Sequence, residues 1–586
     1  MNLDIRSVDY LIQQGQLKDA LAALHNIKQG SLGNSVDVVH REFFLYTRLK
    51  KYEQVIDCFK KLPGNLQQQE NYLLVIIDCC QKATQFDTVF PVVSGVIKRS
   101  GNHNLINKLG YSLIKRGKYQ SATEYFSSVI NSGYSRLANY IGLAETYAKR
   151  GLYQQAIETL SNLDKVSALD YVSLYNLGLY TKEIGQYSDA LQYFERAKEK
   201  DRKRHHAYIQ LTGTHLLIGN VKGAIACLEE GIMYCGALPV LTNELARVKL
   251  EYRYDAPYAK YYEIGLDKLS KEHFIGFLNL LVHTKDWNTT EQVLDIAKSK
   301  FKHSGPWHLI ECQLCYERGE YENGILALEN TNEGFSATER MWRARCNIAV
   351  GNYSEALNDT VELTKEHALD QGYWCLHASA LELAGATDYV GLNDFDGLID
   401  SSALQGFDAN DKLADTLMGI HEIGAPPIGQ SVVGGTQTLG NILNLDNAVI
   451  QDFKSSLIAH IQTYIANLPE SKEHPTRKFA GSEFKFSGAW SVCLKDNGFH
   501  TSHYHSRGWI SGVYYVEVPE LTGNEGALHL GKMDLQGVKS EAKVEITPKQ
   551  GHVVLFPSYM WHGTNVLKND KRRLTIAFDL LPIFEN

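Results

Sequence analysis

Three histidines near the C-terminus have a spacing that could hold a metal ion. His503 and His505 are separated by one residue, and His562 follows 59 residues after His503. In an extended chain, residues i and i+2 point to the same side, so His503 and His505 can face one point. A third imidazole from a distant strand would complete one face of a metal ion and leave positions open for small ligands. The spacing therefore predicts a catalytic metal centre at His503, His505 and His562.

An arginine with a neighbouring hydroxyl follows the third histidine. Arg573 comes 11 residues after His562 and begins a strand-like alternating pattern, with Thr575 on the same side. A guanidinium fork beside a hydroxyl suits a buried dicarboxylate, so Arg573 and Thr575 are the predicted cofactor-binding residues. Taken alone, Arg573 could equally be an ion-paired surface residue. The adjacent Arg572 should point to the opposite side.

The elements that must position these residues have the composition of short β-strands. Strand-rich runs separated by Gly, Pro, Asn and Asp turn signals predict a sandwich or a jelly roll. The mouth of a jelly roll could hold a metal between side chains of two facing strands. The runs are 486–494, 509–518, 527–530, 543–546, 552–556 and 574–580. Before them, apolar residues at helical spacing predict one amphipathic helix from Val449 to Leu468. The stretches 424–427 and 434–438 are predicted to be loops.

The first two thirds of the chain carry a repeat. A pattern of Gly, any, aromatic, any, any and small residue recurs at Gly117, Gly151, Gly185 and Gly219, in steps of 34 residues. Degenerate copies extend this register in both directions, beginning at positions 15, 50, 84, 251, 285, 319, 351 and 385. Glycine permits the tight turn between two helices, and the small residue lets the helices approach closely. This period and pattern resemble the tetratricopeptide repeat.

We therefore predict a multidomain α + β chain: residues 1–392 as an all-α tetratricopeptide superhelix, and residues 393–586 as a jelly-roll domain with a helical lead-in. Stacked repeats form a groove that could bind a protein or peptide, or the catalytic domain itself. His205, His206 and Tyr208 could line that groove, although packing is the simpler interpretation.

Composition limits the class of protein. A net charge of −8 and a hydrophobic content of 44% predict a globular chain without a nucleic-acid surface. No apolar run approaches the ~18 residues of a membrane span, and the first residues lack a signal-peptide pattern. Ten scattered cysteines are interpreted as reduced core thiols, so we expect a cytoplasmic protein.

Several C-terminal segments together resemble the 2-oxoglutarate- and iron(II)-dependent oxygenases that are fused to tetratricopeptide repeats. The resemblance implies that the jelly roll is a double-stranded β-helix that holds iron. It also implies a hydroxylase that uses iron(II), 2-oxoglutarate and O2, with ascorbate as reductant. It implies His562 as the distal histidine ligand, and Arg573 with Thr575 as the partners of the C5 carboxylate of 2-oxoglutarate. The matching segments are 434–438, 490–492, 500–505, 508–511, 556–564 and 573–579.

The resemblance has one departure, because that superfamily pairs the first histidine with a carboxylate two residues later, and here that residue is His505. Three histidines could hold the iron; His503 and His562 could hold it with water; or Asp534 or Glu525 could reach in from a loop. His500 has a smaller claim as a ligand or substrate contact. Tyr504, Tyr514, Tyr559 and Trp561 could shape the substrate mouth, although each could equally be a core residue.

Two other functional classes remain open on the sequence. The missing carboxylate would fit a non-catalytic adaptor, whose repeats bind a partner beside a degenerate oxygenase domain. A dioxygenase with three histidine ligands and no requirement for 2-oxoglutarate would also fit. The repeats make a protein or peptide substrate plausible, because they supply a docking groove away from the chemistry. Free amino acids, small metabolites and glycans stay open as alternatives.

Overall fold

Antiparallel helices fill the first two thirds of the chain, and β-strands dominate the last third. The computed structural model describes residues 5–29, 35–84, 86–133, 136–164, 169–251, 264–302, 306–329, 334–421, 431–438, 441–445, 447–568 and 571–583. The chain divides into two compact units, and the division falls between Leu169 and Asp170. The predicted boundary between residues 392 and 393 stays a prediction.

The first unit consists of helices. They are α1 (Ile5–Gln13), α2 (Leu17–Lys28), α3 (Val36–Arg48), α4 (Tyr52–Lys61), α5 (Gly64–Gln67), α6 (Glu70–Lys82), α7 (Phe86–Ser100), α8 (His103–Lys115), α9 (Tyr119–Asn131), α10 (Leu137–Lys149) and α11 (Tyr153–Asp164).

The second unit begins with further helices of the same kind. They are α12 (Tyr171–Glu183), α13 (Tyr187–Lys200), α14 (His205–Leu217), α15 (Val221–Cys235), α16 (Pro239–Glu251), α17 (Lys271–His283), α18 (Trp287–Phe301), α19 (Trp307–Arg318), α20 (Tyr321–Glu329), α21 (Ala337–Val350), α22 (Tyr353–Glu366), α23 (Gln371–Leu383), α24 (Asp388–Leu392) and α25 (Phe395–Leu398).

The repeated glycines lie in the turns between paired helices, in the left-handed region of backbone space. Gly117, Gly151, Gly185 and Gly219 have φ between 73° and 78°. Lys50 and Lys285, which replace the glycine in degenerate copies, adopt the same region with φ of 58° and 57°. The turn geometry therefore persists where the glycine is lost, at a cost of about 1 kcal/mol or more for a side chain in this region.

The small residue of each repeat packs where two helices approach closely. Ala122, Ala156, Ala190 and Ala224 are all fully buried. The degenerate copy beginning at Glu251 falls largely outside the described residues. The copy beginning at Gly385 is followed by the five-residue helix α24, so it does not complete a full repeat.

The C-terminal part contains two antiparallel sheets. The strands are β1 (Asp400–Ala403), β2 (Val432–Gln437), β3 (Glu483–His500), β4 (Ile510–Glu517), β5 (Leu528–Leu530), β6 (Val544–Ile546), β7 (His552–Pro557), β8 (His562–Thr564) and β9 (Arg573–Ile583). The large sheet has the order β1-β7-β4-β9-β3-β2, and the small sheet has the order β6-β5-β8. The predicted fold class, helical repeats followed by a double-stranded β-helix, is confirmed.

One face of the large sheet is covered by two helices, α26 (Asn410–His421) and α27 (Ala448–Asn467). Phe453 and Leu457 of α27 lie in one apolar cluster with Ile576 and Phe578 of β9. The alternate residues of β9 therefore face away from these helices, towards the space between the two sheets. That space contains the predicted site.

The elements predicted from the sequence match closely, with informative exceptions. The helix predicted over 449–468 and the six strand runs are present. The stretch 434–438, a predicted loop, instead forms most of β2, which pairs with β3. A register shift between Val433 and Gly435 explains the glycines, because Gly434 has φ of 67° at the irregularity. The predicted loop at 424–427 lies outside the described residues.

Two further predictions concern the membrane and the cysteines. Among the described helices, none combines the length and apolar character that crossing a bilayer requires. All ten cysteines are free thiols, and eight of them are buried, as expected for core residues. The cytoplasmic location stays a prediction.

Candidate metal centre

The three predicted histidines converge on one point. His503 and His505 follow the end of β3, and His562 is the first residue of β8. The imidazole of His562 lies 4.2 Å from that of His503 and 4.9 Å from that of His505, measured between ring centroids. One nitrogen from each ring lies within 4.8 Å of the other two. A single metal ion can be reached by all three.

The backbone fixes the two histidine segments to each other. His503 N donates to the His562 carbonyl oxygen, and His562 N donates to the His503 carbonyl oxygen, both at 2.8 Å. His505 N donates to the Ser558 carbonyl oxygen at 3.0 Å. This short bridge brings residues 59 positions apart in the sequence into direct contact.

Each imidazole is oriented by a hydrogen bond from the nitrogen that faces away from the cluster. His503 Nδ1 donates to the Thr501 carbonyl oxygen at 2.8 Å, and His562 Nδ1 donates to the Met560 carbonyl oxygen at 2.9 Å. An acceptor at Nδ1 fixes the tautomer that carries its lone pair on Nε2. This is the arrangement that metal-binding histidines use.

His505 is oriented by a carboxylate. Its Nδ1 lies 2.6 Å from Oδ1 of Asp579, the fourth residue along one face of β9. The same oxygen accepts a hydrogen bond from Ser511 Oγ at 2.7 Å, and Ser511 Oγ lies 2.9 Å from Ser558 Oγ. The carboxylate of Asp579 therefore lies next to His505, and the imidazole ring of His505 separates it from the point that the three histidines share.

Burial favours the neutral form of two of the three imidazoles, those of His503 and His562. It lowers the pKa of His503 to about 4, with a smaller contribution from the nearby His505. Burial also holds the pKa of His562 well below its usual value, as it does for His500. Neutral imidazoles are the form that binds metal ions.

A cavity of about 540 Å³ lies in front of the histidines. Its walls include the apolar side chains of Trp490, Val492, Val513, Leu528 and Phe556. Its polar groups come from the three histidines and from other side chains of the lining, which include Ser431, Gln437, Thr438, His500, Thr564, Arg573 and Thr575.

Arg573 lies in the cavity wall and is 2% exposed. Its guanidinium lies 5.1 Å from the centre of the Tyr515 ring, and its Nε is buried with no hydrogen-bond partner. Among the described residues, no carboxylate forms an ion pair with it. Such a buried cation is costly unless an anion joins it, so the geometry fits an acidic ligand.

The neighbours of Arg573 follow the strand alternation. Thr575 is 2% exposed and lines the same cavity, where its hydroxyl donates a long hydrogen bond of 3.4 Å to the Val492 carbonyl oxygen. Arg572 points to the opposite side, where its Nε donates to Glu517 at 2.7 Å. The predicted alternation of these three side chains therefore agrees with their placement, and the role of Arg573 and Thr575 in cofactor binding stays a prediction.

The two acidic alternatives do not approach the histidines. Asp534 is exposed, and neither Asp534 nor Glu525 lines the cavity or belongs to the histidine cluster. His500 does line the cavity, with its Nδ1 2.9 Å from Ser431 Oγ. Ser431 Oγ also lies 3.3 Å from His503 Nε2, so one hydroxyl joins His500 to the cluster.

The four aromatic residues expected near the mouth divide into two groups. Tyr504 lines the cavity, but its hydroxyl is engaged by Arg345. Tyr514, Tyr559 and Trp561 are buried, with polar atoms bonded to Asn410, the Leu392 carbonyl oxygen and Ser379 respectively. These three are packing residues, since none of them lines the cavity.

Sequence reasoning missed Asp579, Tyr515 and Ser431 as members of the site. The first could have been found, because Arg573, Thr575, Ala577 and Asp579 are successive residues on one face of β9. Ser431 carried no comparable signal, since it precedes a strand that the glycines concealed.

Comparisons with known proteins agree with this geometry. Residues 488–579 match a family model described as "Putative 2OG-Fe(II) oxygenase". No curated protein matches the chain.

Solved structures resemble the two parts of the chain separately. A tetratricopeptide repeat protein from Parabacteroides merdae is 13% identical, with a TM-score of 0.31, covering 48% of this chain and 98% of its own. A prolyl-4-hydroxylase from Pseudomonas putida is 18% identical, with a TM-score of 0.23, covering 32% and 96%. A viral collagen prolyl hydroxylase from Paramecium bursaria Chlorella virus-1 is 14% identical, with a TM-score of 0.23, covering 32% and 97%. The chain therefore consists of a long array of paired helices followed by strands, of which residues 488–579 match the model of the 2-oxoglutarate- and iron(II)-dependent oxygenases.

Proposed function

We propose that this protein is a 2-oxoglutarate- and iron(II)-dependent dioxygenase that hydroxylates a protein or peptide recruited by its repeats. The observation that carries the proposal is that two features line the same cavity. Three oriented imidazoles meet at one end, and Arg573, without an acidic partner among the described residues, lies in the wall.

The residues fit the metal. His503, His505 and His562 would hold iron(II) through their Nε2 atoms, because each Nδ1 is already engaged by an acceptor. Imidazole suits iron, and three nitrogen ligands leave positions for a bidentate cosubstrate and oxygen. Asp579 would supply, through His505, the negative charge that a carboxylate ligand provides in the wider superfamily.

The residues also fit the cosubstrate. Arg573 would bind the far carboxylate of 2-oxoglutarate with its fork of donors, and the Thr575 hydroxyl would turn from its long bond to the same carboxylate. Bound iron(II), 2-oxoglutarate and O2 supply an oxidation that yields succinate, CO2 and a hydroxylated carbon on the substrate. The apolar walls at Trp490, Val492 and Phe556 exclude water from this reaction.

The test is 2-oxoglutarate turnover by the full-length protein. With iron(II), ascorbate and 2-oxoglutarate, we expect the wild type to release succinate, and His562→Ala to release none above background. His552→Ala is the matched control, since His552 lies on β7 and does not line the cavity. Equal succinate from the wild type and His562→Ala would remove the proposal and favour a non-catalytic adaptor.

Half-buried aromatic side chains of the repeats, next to an exposed arginine, support recruitment of a protein. Tyr171 and Tyr175 stack at 5.8 Å, and the Arg204 guanidinium lies 4.6 Å from the centre of the Tyr171 ring. Tyr208, by contrast, is fully buried and belongs to the packing between helices. Proteins that bind to immobilised His562→Ala are the candidate substrates. After incubation with the wild-type protein and its cosubstrates, one of their peptides should gain the 16 Da of an added oxygen atom in mass spectrometry. If the substrates are free amino acids, no peptide should show this gain.

A further inference from the structure

Each segment that carries a proposed ligand also has an aromatic side chain that is hydrogen-bonded to a helix of the repeats. Tyr504 lies between His503 and His505, and Trp561 directly precedes His562. The Tyr504 hydroxyl accepts a hydrogen bond from Nη2 of Arg345 at 2.9 Å. Trp561 Nε1 donates to Ser379 Oγ, also at 2.9 Å. The ligand histidines therefore point into the cavity while their neighbours are held by α21 and α23.

The two aromatic rings also contact each other. Tyr504 and Trp561 meet edge to face, with ring centroids 5.0 Å apart. Both rings lie against the apolar cluster that includes Cys375, Leu376 and Ala378 of α23. A displacement of α23 would therefore move both of the segments that carry the proposed ligands.

The segment 503–506, which we call the histidine turn, is packed closely against the backbone of α23. Gln371 N, at the first residue of α23, donates to the Ser506 carbonyl oxygen at 2.9 Å. A Cβ added at Gly372 would lie 3.1 Å from Tyr504 Cε2 and 3.2 Å from Ser506 Cβ. The turn that carries His503 and His505 thus lies directly on the N-terminal end of this repeat helix.

Arg345 is an unusual residue for this place. Its guanidinium is permanently charged, its Nε is buried without a hydrogen-bond partner, and no described carboxylate forms an ion pair with it. Its contacts are the Tyr504 hydroxyl and the face of Trp342, 5.2 Å from the ring centre. An apolar side chain would serve packing alone equally well, so the charge points to a task at Tyr504.

We propose that α21 and α23 are a structural part of the metal site, with Arg345 and Ser379 as positioning residues that hold the ligand segments from outside. The inference rests on the proposed function, since it concerns the same three histidines. It goes further in assigning the last repeats a role in metal affinity, in addition to any role in recruiting a partner. Residues that orient ligands typically change metal affinity by about 10–100-fold when they are removed.

The experiment measures Co(II) binding to the full-length protein by titration calorimetry, with the visible absorption spectrum of the bound ion as a second reading. We expect Tyr504→Phe and Arg345→Met each to weaken Co(II) binding by roughly tenfold and to shift the absorption bands. Tyr504→Phe removes one oxygen and retains the ring, so the packing of this ring against Trp561 is preserved. Arg345→Lys should recover part of the affinity, because an ammonium can still donate to the Tyr504 hydroxyl.

The matched control breaks a different contact between the same repeats and the β-domain. Lys543 Nζ lies 2.6 Å from Glu382 Oε1, also on α23 but at its C-terminal end. Glu382→Gln should leave Co(II) affinity and the spectrum unchanged, which would show that the effect is specific to the histidine turn.

The outcomes separate the inference from the proposed function. If the wild type binds Co(II) and both variants bind within twofold of it, the repeats do not position the site, and the oxygenase proposal stands. If the wild type binds no Co(II), the oxygenase proposal falls and the inference falls with it. Equal weakening in Glu382→Gln would reduce the effect to general loosening of the interface and would overturn the specific role of Arg345.

Discussion

Asp579 explains how a site without a carboxylate ligand could still favour a divalent cation. A three-imidazole set is neutral, whereas the usual set of the superfamily carries one negative charge. Asp579 places that charge behind His505, with its oxygen 2.6 Å from Nδ1. A hydrogen-bonded carboxylate makes an imidazole more basic and also fixes its direction.

Asp579→Asn separates these two contributions. The amide oxygen can still accept from His505 Nδ1, so the orientation is retained while the charge is lost. We expect Co(II) affinity to fall roughly tenfold, with little change in the melting temperature. Calorimetric titration measures the first and differential scanning fluorimetry the second. Asp496→Asn, at an exposed position of β3, is the control, and an unchanged affinity in Asp579→Asn would show that the charge is irrelevant.

Arg573 should separate cosubstrate binding from metal binding. Arg573→Met removes the only charged donor in the cavity wall that the described residues provide, and retains the apolar stem. Loss of a buried charge-assisted interaction costs about 2–5 kcal/mol, so we expect the dissociation constant for 2-oxoglutarate to rise by about 30-fold or more. Co(II) binding should stay within twofold of the wild type.

Arg572→Met is the control for this change, because Arg572 pairs with Glu517 on the opposite side of the strand. Titration of 2-oxoglutarate into the Co(II)-loaded protein gives the dissociation constants. Normal 2-oxoglutarate binding and turnover in Arg573→Met would favour the alternative dioxygenase that needs no 2-oxoglutarate.

At the scale of elements, alternation along β9 was the most informative feature of the sequence. It correctly separated Arg573 and Thr575 from Arg572, because successive side chains of a strand point to opposite faces. The same period could not show what Asp579 contacts, since its partner His505 lies 74 residues away in the sequence. The period and composition of a segment predict its local geometry. They do not predict contacts between distant segments, because those contacts depend on how the sheet folds.

The strands β1, β2 and β8 and the helix α26 were not predicted, and for β2 and α26 the reason can be identified. The strand β2 contains Gly434 and Gly435, which are typical of loops, and here they permit a bulge and a close approach to β3. The helix α26 covers the large sheet with only Leu413, Ala414, Leu417 and His421 buried, so its apolar pattern is short. Helix α27 is longer and more regular, and its prediction is confirmed.

The packing of α27 gives a stability prediction at this scale. Phe453 is fully buried, and its ring centre lies 4.7 Å from that of Tyr514 on β4. Phe453→Ala should destabilise the domain by about 3–5 kcal/mol, because it removes buried area and leaves a cavity behind the sheet. Chemical denaturation followed by circular dichroism measures this. Gln462→Ala, on the exposed face of the same helix, should change the free energy of unfolding by less than about 0.5 kcal/mol.

For the whole molecule, the 34-residue step predicted the helical array well, because each repeat is a local unit with its own turn. The step could not predict that the last helices of the array also contact the segments that carry the three histidines. Helices α12 to α25 belong to the same compact unit as the β-domain, and α21 and α23 contact the histidine segments directly. Contacts such as Arg345 with Tyr504 join residues 159 positions apart, beyond the reach of any local pattern.

The stability of the metal-free protein should fall as the pH falls from about 6.5 to 4, because of buried histidines outside the cluster. Burial lowers the pKa of His421 and of His474 to about 4. His421 lies between Ser491 Oγ and Thr436 Oγ1, each at 2.9 Å, and His474 lies against the Leu392 carbonyl oxygen. Below pH 6.5 the unfolded chain binds protons at these residues and the folded chain does not, so protons favour unfolding.

At pH 5 each of these two histidines should therefore cost about 2 kcal/mol relative to pH 7.5. Melting temperatures at the two pH values, measured without metal, test this in the wild type and in His421→Gln. The glutamine can retain hydrogen bonds to both hydroxyls but does not titrate, so the variant should lose less stability on acidification than the wild type, whatever its stability at pH 7.5. An identical loss in both proteins would mean that His421 is not the neutral, buried group that its surroundings indicate.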